Sequence, residues 1–109
     1  MTLDTIKQAI KEQSSISFEY NKAEKTPGKR IGNPHAIFIM RKKDESESTK
    51  VHIEQTGGVS DSGVEFPSFR MFDISELSNV EIINSKQKFT TSLKYNPIWD
   101  GYKFVIVKI

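Results

Sequence analysis

The residues of this 109-residue chain whose types admit chemistry are few: two histidines, Arg70, a glycine- and serine-rich loop, and a tail that mixes lysines with aromatics. His35 and His52 are the only imidazoles, and neither stands in an HExxH pattern, beside a carboxylate at paired spacing, or near a Gly-x-Ser-x-Gly elbow. Zero cysteines remove disulfides, thiolate metal sites and cysteine nucleophiles together. No catalytic residue, metal or cofactor is therefore expected, and a hydrolase would have to be built from His35 and Ser60. His35 follows Pro34 and reads as a hydrogen-bonded structural histidine sooner than a ligand. His52 alternates against Val51 and Ile53, so it either meets solvent or lines the opposite face of its strand.

Arg70 is the most informative single residue. Two-residue periodicity sets it on the same face as Phe72 and Ile74, which turns a guanidinium toward the apolar side of a sheet. There it either pairs with a carboxylate or receives an anion. Gly57 to Gly63 has the flexibility to form a nest of backbone amides around a phosphate, with Ser60 and Ser62 adding hydroxyls, or it is simply a turn between strands. It lacks the Gly-Lys-Ser/Thr ending of a nucleoside-triphosphate loop. In the tail, Lys86, Lys88, Lys94, Lys103 and Lys108 interleave with Phe89, Tyr95, Trp99 and Tyr102, a mixture that stacks bases and tracks phosphates. The same residues also suit a tail whose rings anchor it to the domain while its lysines face water.

These side chains must be positioned by one helix and a run of short strands. Leu3, Ile6 and Ile10, with Ala9 beside them, form the stripe of an amphipathic helix capped by Thr2 and ended by Ser14-Ser15. From Ile16 to Tyr20 the period changes to two, then Thr26-Pro27-Gly28 makes a turn. The second strand, Arg30 to Arg41, is interrupted near Gly32-Asn33-Pro34, where Pro34 demands an edge or a bulge. Beyond it Ala36, Phe38 and Met40 alternate with Ile37 and Ile39, so both faces are covered, as in a central strand. Lys42 to Lys50 is a hairpin tip, Lys50 to Gln55 a third strand, and Phe69 to Ile74 a fourth. Ser75-Glu76-Leu77 makes a single helical turn, and Val80 to Ile83 is a short fifth strand. With no second helix for a parallel crossover, this order predicts a small barrel closed by a helix. Residues 1–83 form that barrel. Residues 84–109 are a basic, aromatic extension ending in a strand from Tyr102 to Ile109, which either completes the sheet or pairs with another chain.

Composition bounds the function. At 36% hydrophobic and 28% charged the chain is an ordinary globular domain, large enough to fold on its own core. Its net charge of +2 hides a split: residues 1–83 carry −2 and residues 84–109 carry +4. A small excess confined to the tail does not coat a duplex, but it suits a local site for a short or small anion. No run approaches the ~20 apolar residues of a membrane span, and no secretory signal opens the sequence, so the cytoplasm is the expected address.

In the order Ile16 to Tyr20, Arg30-Ile31-Gly32-Asn33-Pro34-His35-Ala36, Val51-His52-Ile53-Glu54-Gln55, Gly58-Val59-Ser60-Asp61-Ser62-Gly63, Pro67-Ser68-Phe69-Arg70-Met71-Phe72-Asp73-Ile74 and Tyr95-Asn96-Pro97, the chain resembles a WYL domain. That resemblance implies a mainly β fold with an N-terminal helix: a small SH3-like five-stranded β-barrel, here with an extra C-terminal strand. It also implies ligand sensing in bacterial transcription regulation or as a stand-alone protein, including accessory roles in bacterial or phage defence. The residues implicated are Tyr20, Arg30, His35, Gln55, Ser60, Ser62 and Arg70. The Trp-Tyr-Leu triplet itself is absent, and His52 and Glu54 stand where stand-alone relatives tend to carry an arginine and an aromatic. No helix-turn-helix accompanies the domain in these residues, so the resemblance implies that whatever is sensed passes to a partner or is held.

Two expectations follow. The first is a non-enzymatic module that binds a short single-stranded nucleic acid or nucleotide-like ligand, with Arg70 and Arg30 as charge clamps, Gln55, Ser60 and Ser62 as hydrogen-bond donors, and Tyr20 as a stacking surface. The alternative is an accessory factor that forms a homodimer or holds a protein partner through Trp99, Tyr102, Phe104 and Ile106. Neither involves a membrane.

Overall fold

A computed structural model describes residues 2–61, 65–83 and 86–109. One helix, α1 (Thr2–Glu12), precedes the strands β1 (Ile16–Tyr20), β2 (Lys29–Arg41), β3 (Glu47–Gly58), β4 (Ser68–Asp73), β5 (Leu77–Ile82) and β6 (Phe104–Lys108), with a 3-10 turn at Ile74–Glu76 between β4 and β5. Of the described residues, 46% are strand and 14% helix. α1 ends where Gln13 takes a left-handed conformation, φ 53°. The Ser14 amide then reaches back 2.8 Å to the Ala9 carbonyl, satisfying an acceptor the helix leaves open.

All strand pairings are antiparallel, in the order β4-β3-β2-β1-β5, with β6 added to β2. The expected N-terminal helix, five strands and extra C-terminal strand are all present, joined in an open sheet of six strands; closure into a five-stranded barrel is not shown. Two causes account for the difference. β4 and β5 lie at opposite ends of the strand order and share no ladder, and the last strand has a place of its own inside the sheet. β6 takes the edge of β2 that β1 vacates: β1 pairs with Lys29 to Gly32, and β6 pairs with Ala36 to Ile39. Pro34 sits between these two ladders, beside a bulge at Pro34/Ala36. The missing proline N–H thus falls where the strand changes partner.

Several boundaries also move. The hairpin tip is shorter than its composition suggests, because hydroxyl and charged residues from Glu47 onward are drawn into pairing with β2. β3 runs on through Gly57 and Gly58, taking both from the expected loop. Gly58, at φ 88°, lies so close to β2 that a Cβ there would stand 2.3 Å from the Lys29 carbonyl oxygen. β5 starts at Leu77, three residues before Val80.

The sheet has two distinct covered faces. On one, α1 packs Ile6, Ala9 and Ile10 against Ile16, Phe18, Tyr20, Ile37, Val51, Ile53, Phe72 and Leu77. Val107 and Ile109 bring β6 into the same core. On the other, Phe38, His52 and Phe69 lie beneath the rings of the tail. β2 is buried on both faces from Pro34 to Phe38, as its continuous apolar run requires. The terminal strand is thus part of the same sheet as the first 83 residues.

Candidate functional site

Four of the seven residues expected to hold a ligand converge at one end of the helix-covered face. β3 and β4 pair Ile53 with Arg70 and Val51 with Phe72, which carries Arg70 to the apolar side as its periodicity predicts. Phe72 packs edge-on against Phe18 at 5.4 Å and Tyr20 at 5.0 Å. The Arg70 guanidinium lies 5.5 Å from the Phe72 ring, and that of Arg30 lies 5.2 Å from Tyr20. Between the two cations stands Asp61.

Asp61 favours Arg30. Nη2 of Arg30 donates to both carboxylate oxygens at 3.1 Å and to the Thr26 carbonyl at 3.3 Å, while Nη1 reaches Gln55 Oε1 at 3.5 Å. The Thr26 amide donates to the same carboxylate, and with the Arg30 guanidinium it holds the Asp61 carboxyl down to about 2, against the opposing effect of burial. Arg70 approaches Asp61 only to 3.9 Å, and its side chain is 27% exposed. One carboxylate therefore faces two guanidiniums, leaving one positive charge, and the loosely held, solvent-reachable cation is Arg70.

The other members divide by role. Arg30 is fully buried, so the expected pair of charge clamps reduces to Arg70 alone, with Arg30 engaged inside the fold. Gln55 is also fully buried, and its amide donates to the Gly57 and Val59 carbonyls, where it shapes the loop and has no donor left for a ligand. Tyr20 is 9% exposed and packs against Phe72 and Arg30. Ser60 Oγ is buried with no partner among the described residues. Ser62 lies outside the described residues.

His35 belongs to neither this cluster nor this face. It is fully buried, its Nδ1 bonds to the Asn33 carbonyl at 2.8 Å, and its Nε2 accepts the Ser92 amide at 2.9 Å. That pairing requires the neutral ring with the proton on Nδ1, because a second N–H would confront the Ser92 donor. Burial lowers the His35 pKa in the same sense. The ring is packed among Phe69, Phe89 and Tyr95 at 5.1 to 5.4 Å, so this histidine fastens the tail to the sheet.

His52 takes the second of its two expected positions, lining the opposite face under the tail. It contacts Phe38, Phe69, Trp99 and Tyr102 at ring distances of 4.9 to 5.4 Å, and its Nδ1 shares a hydrogen bond with the Tyr102 hydroxyl. Burial, then the nearby His35, pushes the His52 pKa down to about 4. Glu54 is also on this face, paired across to Phe69, and forms no ion pair with Arg70 or His52 among the described residues. The tail roofs these rings and leaves a cavity of about 210 Å³ lined by His52, Phe69, Lys94, Asn96, Trp99 and Tyr102.

Asp61 is not among the residues implicated by sequence, although it is the one acidic residue between Gly57 and Gly63 and a carboxylate is one of the two partners expected for Arg70. Phe69 was legible as a site residue only through its parity with His52 and Glu54 across the β3/β4 ladder. Phe104 and Ile106 are exposed on β6, at 48% and 37%. Among the described residues, no group of three His, Asp or Glu side chains is arranged to hold a metal ion, and no helix is long and apolar enough to cross a membrane. No family model, curated protein or solved structure matches the chain.

Proposed function

We propose that this chain is a non-enzymatic, WYL-like ligand-sensing or regulatory module, acting in the cytoplasm, that captures a short single-stranded nucleic acid or nucleotide-derived anion at Arg70. The observation that carries this reading is the charge imbalance around Asp61: Arg30 makes the two 3.1 Å bonds, and Arg70 is left at 3.9 Å and partly open to solvent. An anion of one or two charges balances that excess, and the orphan hydroxyl of Ser60 supports a polar ligand close by. The bulges that bend β2 at Ile31/Gly32 and Pro34/Ala36 support reading the sheet as an SH3-like barrel opened between β4 and β5. A non-enzymatic role is supported by the histidines, since His35 has both nitrogens engaged and His52 is tied to Tyr102.

The test is salt-dependent binding of labelled short single-stranded RNA, single-stranded DNA and cyclic oligonucleotides, followed by fluorescence anisotropy. Arg70→Ala should abolish binding with an unchanged melting temperature. Retention by that variant equal to the parent protein's overturns the assignment.

A second reading rests on β6, whose outer edge has no partner among the described residues and whose Phe104, Val105 and Ile106 are 48%, 37% and 37% exposed. Such an edge pairs with a strand of another chain, a second copy being the simplest case. Light scattering decides it: a dimer that Ile106→Glu converts to a folded monomer supports the reading, and a monomeric parent protein removes it.

A further inference from the structure

The 210 Å³ cavity under the tail lies across the sheet from Arg70 and is used by nothing described above. Four of its six lining residues are rings, His52, Phe69, Trp99 and Tyr102, and the other two are Asn96 and Lys94. It is smaller than the several hundred Å³ that enclose a drug-sized molecule, so it takes one planar ring system while the rest of the ligand stays outside.

Charge narrows the occupant further. Rings gathered in this way hold quaternary ammonium groups when no cation is already present. Here Lys94 is on the wall, and Lys108 Nζ stands 5.8 Å from the centre of the Tyr102 ring while donating to the Pro97 carbonyl. Among the described residues no carboxylate lines the cavity. A cationic guest is therefore repelled, and an anionic one gains from Lys94, whose ammonium has no partner among the described residues. Asn96 adds selectivity: its Oδ1 accepts the Ile98 amide at 3.1 Å, leaving the Nδ2 donors free for a carbonyl or ring nitrogen. His52 stays neutral at physiological pH and so does not change this balance.

We infer that this cavity is a nucleobase site: it takes one base of a nucleotide in the space lined by His52, Phe69, Trp99 and Tyr102, with the attached phosphate on Lys94 and Asn96 donating to the base. The choice of a nucleotide over another aryl anion rests on the function proposed above, whereas the planar anionic ligand class rests on the cavity alone. The site also makes physical sense of Trp99, which remains 38% exposed although it is the chain's one tryptophan and packs against three other rings.

Because Trp99 is the single tryptophan, its emission reports the cavity directly. The intact protein, excited at the red edge of the indole band where bases do not absorb, is titrated with adenosine and cytidine monophosphates, the parent nucleosides, inorganic phosphate and benzoate. Saturable quenching by the monophosphates is expected, about tenfold tighter than by the nucleosides, with no response to phosphate. Lys94→Ala should bring the monophosphates down to nucleoside affinity. Asn96→Asp, which keeps the cap on Ile98 but adds a carboxylate, should weaken them by a further tenfold or so. No saturable change at millimolar monophosphate, or equal monophosphate affinity in the parent protein and Lys94→Ala, overturns the site. Tighter quenching by benzoate than by either monophosphate overturns the nucleotide as its occupant. Arg70→Ala keeps the two proposals apart, since it should lose oligonucleotide retention while binding monophosphates in this cavity as the parent protein does.

Discussion

Acidification should loosen this protein well before the Asp61 carboxylate protonates, because two neutral histidines join its tail to its sheet. His52 titrates near 6.5 in the unfolded chain and at about 4 in the folded one. Its contribution is complete above pH 6.5, declines as the unfolded chain takes up a proton the folded ring refuses, and levels off below about pH 4. Over that window the linkage amounts to about 3 kcal/mol for a fully enclosed ring, and the part of His52 that solvent reaches reduces it to ~2 kcal/mol. For a domain of this size that is a fall of roughly 10 °C in Tm. His35, whose pKa is also lowered by burial, acts in the same direction. Three carboxyls that the fold holds down stay below this window: Asp61 is held at about 2, and Asp44 and Asp73 lie below their ordinary 3.8. Thermal unfolding followed by circular dichroism between pH 7 and 4.5, with Trp99 emission reporting the tail, measures the effect. His52→Phe, which keeps a ring in the cluster, should flatten much of the slope and leave the share due to His35. A Tm that does not fall between pH 6.5 and 4.5, or an equal slope in His52→Phe, refutes the reasoning.

Three further outcomes are expected. Arg30→Met should cost about 3 kcal/mol in urea unfolding, since Asp61 would keep only the Thr26 amide and the distant Arg70, and an unchanged midpoint would mean that Arg70 replaces Arg30 completely. Gly58→Ala should cost roughly 2 kcal/mol, because a side chain at φ 88° would meet the Lys29 carbonyl. Tyr95→Phe removes the 2.9 Å bond from its hydroxyl to the Ile109 carbonyl, so β6 amides should exchange with solvent several-fold faster at a stability cost of about 1 kcal/mol.

Much of this organisation is legible in the residues. The stripe Leu3, Ile6, Ile10 specifies α1 and its buried face, and two-residue alternation gives the correct facing of Phe18, Val51, Ile53 and Arg70. Pro34 is correctly read as the site of an interruption, and the doubly apolar run from Ala36 as a central strand. What alternation does not encode is partnership. An apolar strand at Tyr102 to Ile109 carries no sign that β2 has half an edge free, because that vacancy depends on where β1 stops. The site shows the same limit. Burial of Arg30 and Gln55 follows from Asp61 and the Val59 carbonyl folding back over them, and these contacts span up to 31 residues. Glu47 to Thr49 read as solvated tip because their side chains are polar, yet their backbones complete the β2/β3 ladder.

The partial edge that β6 fills also sets the order in which this fold forms. β1 with β2, β2 with β3, and β3 with β4 join neighbours in sequence, so they close short loops and nucleate early. β5 and β6 return to β1 and β2 across most of the chain, and α1 and β6, the first and last elements, meet only when both have docked. Until the tail arrives, His35, Phe38, His52 and Phe69 form an uncovered row of rings on a sheet that is otherwise assembled. That interval is the chain's most adhesive moment, so refolding yield should fall as protein concentration rises even though the finished domain keeps these rings covered.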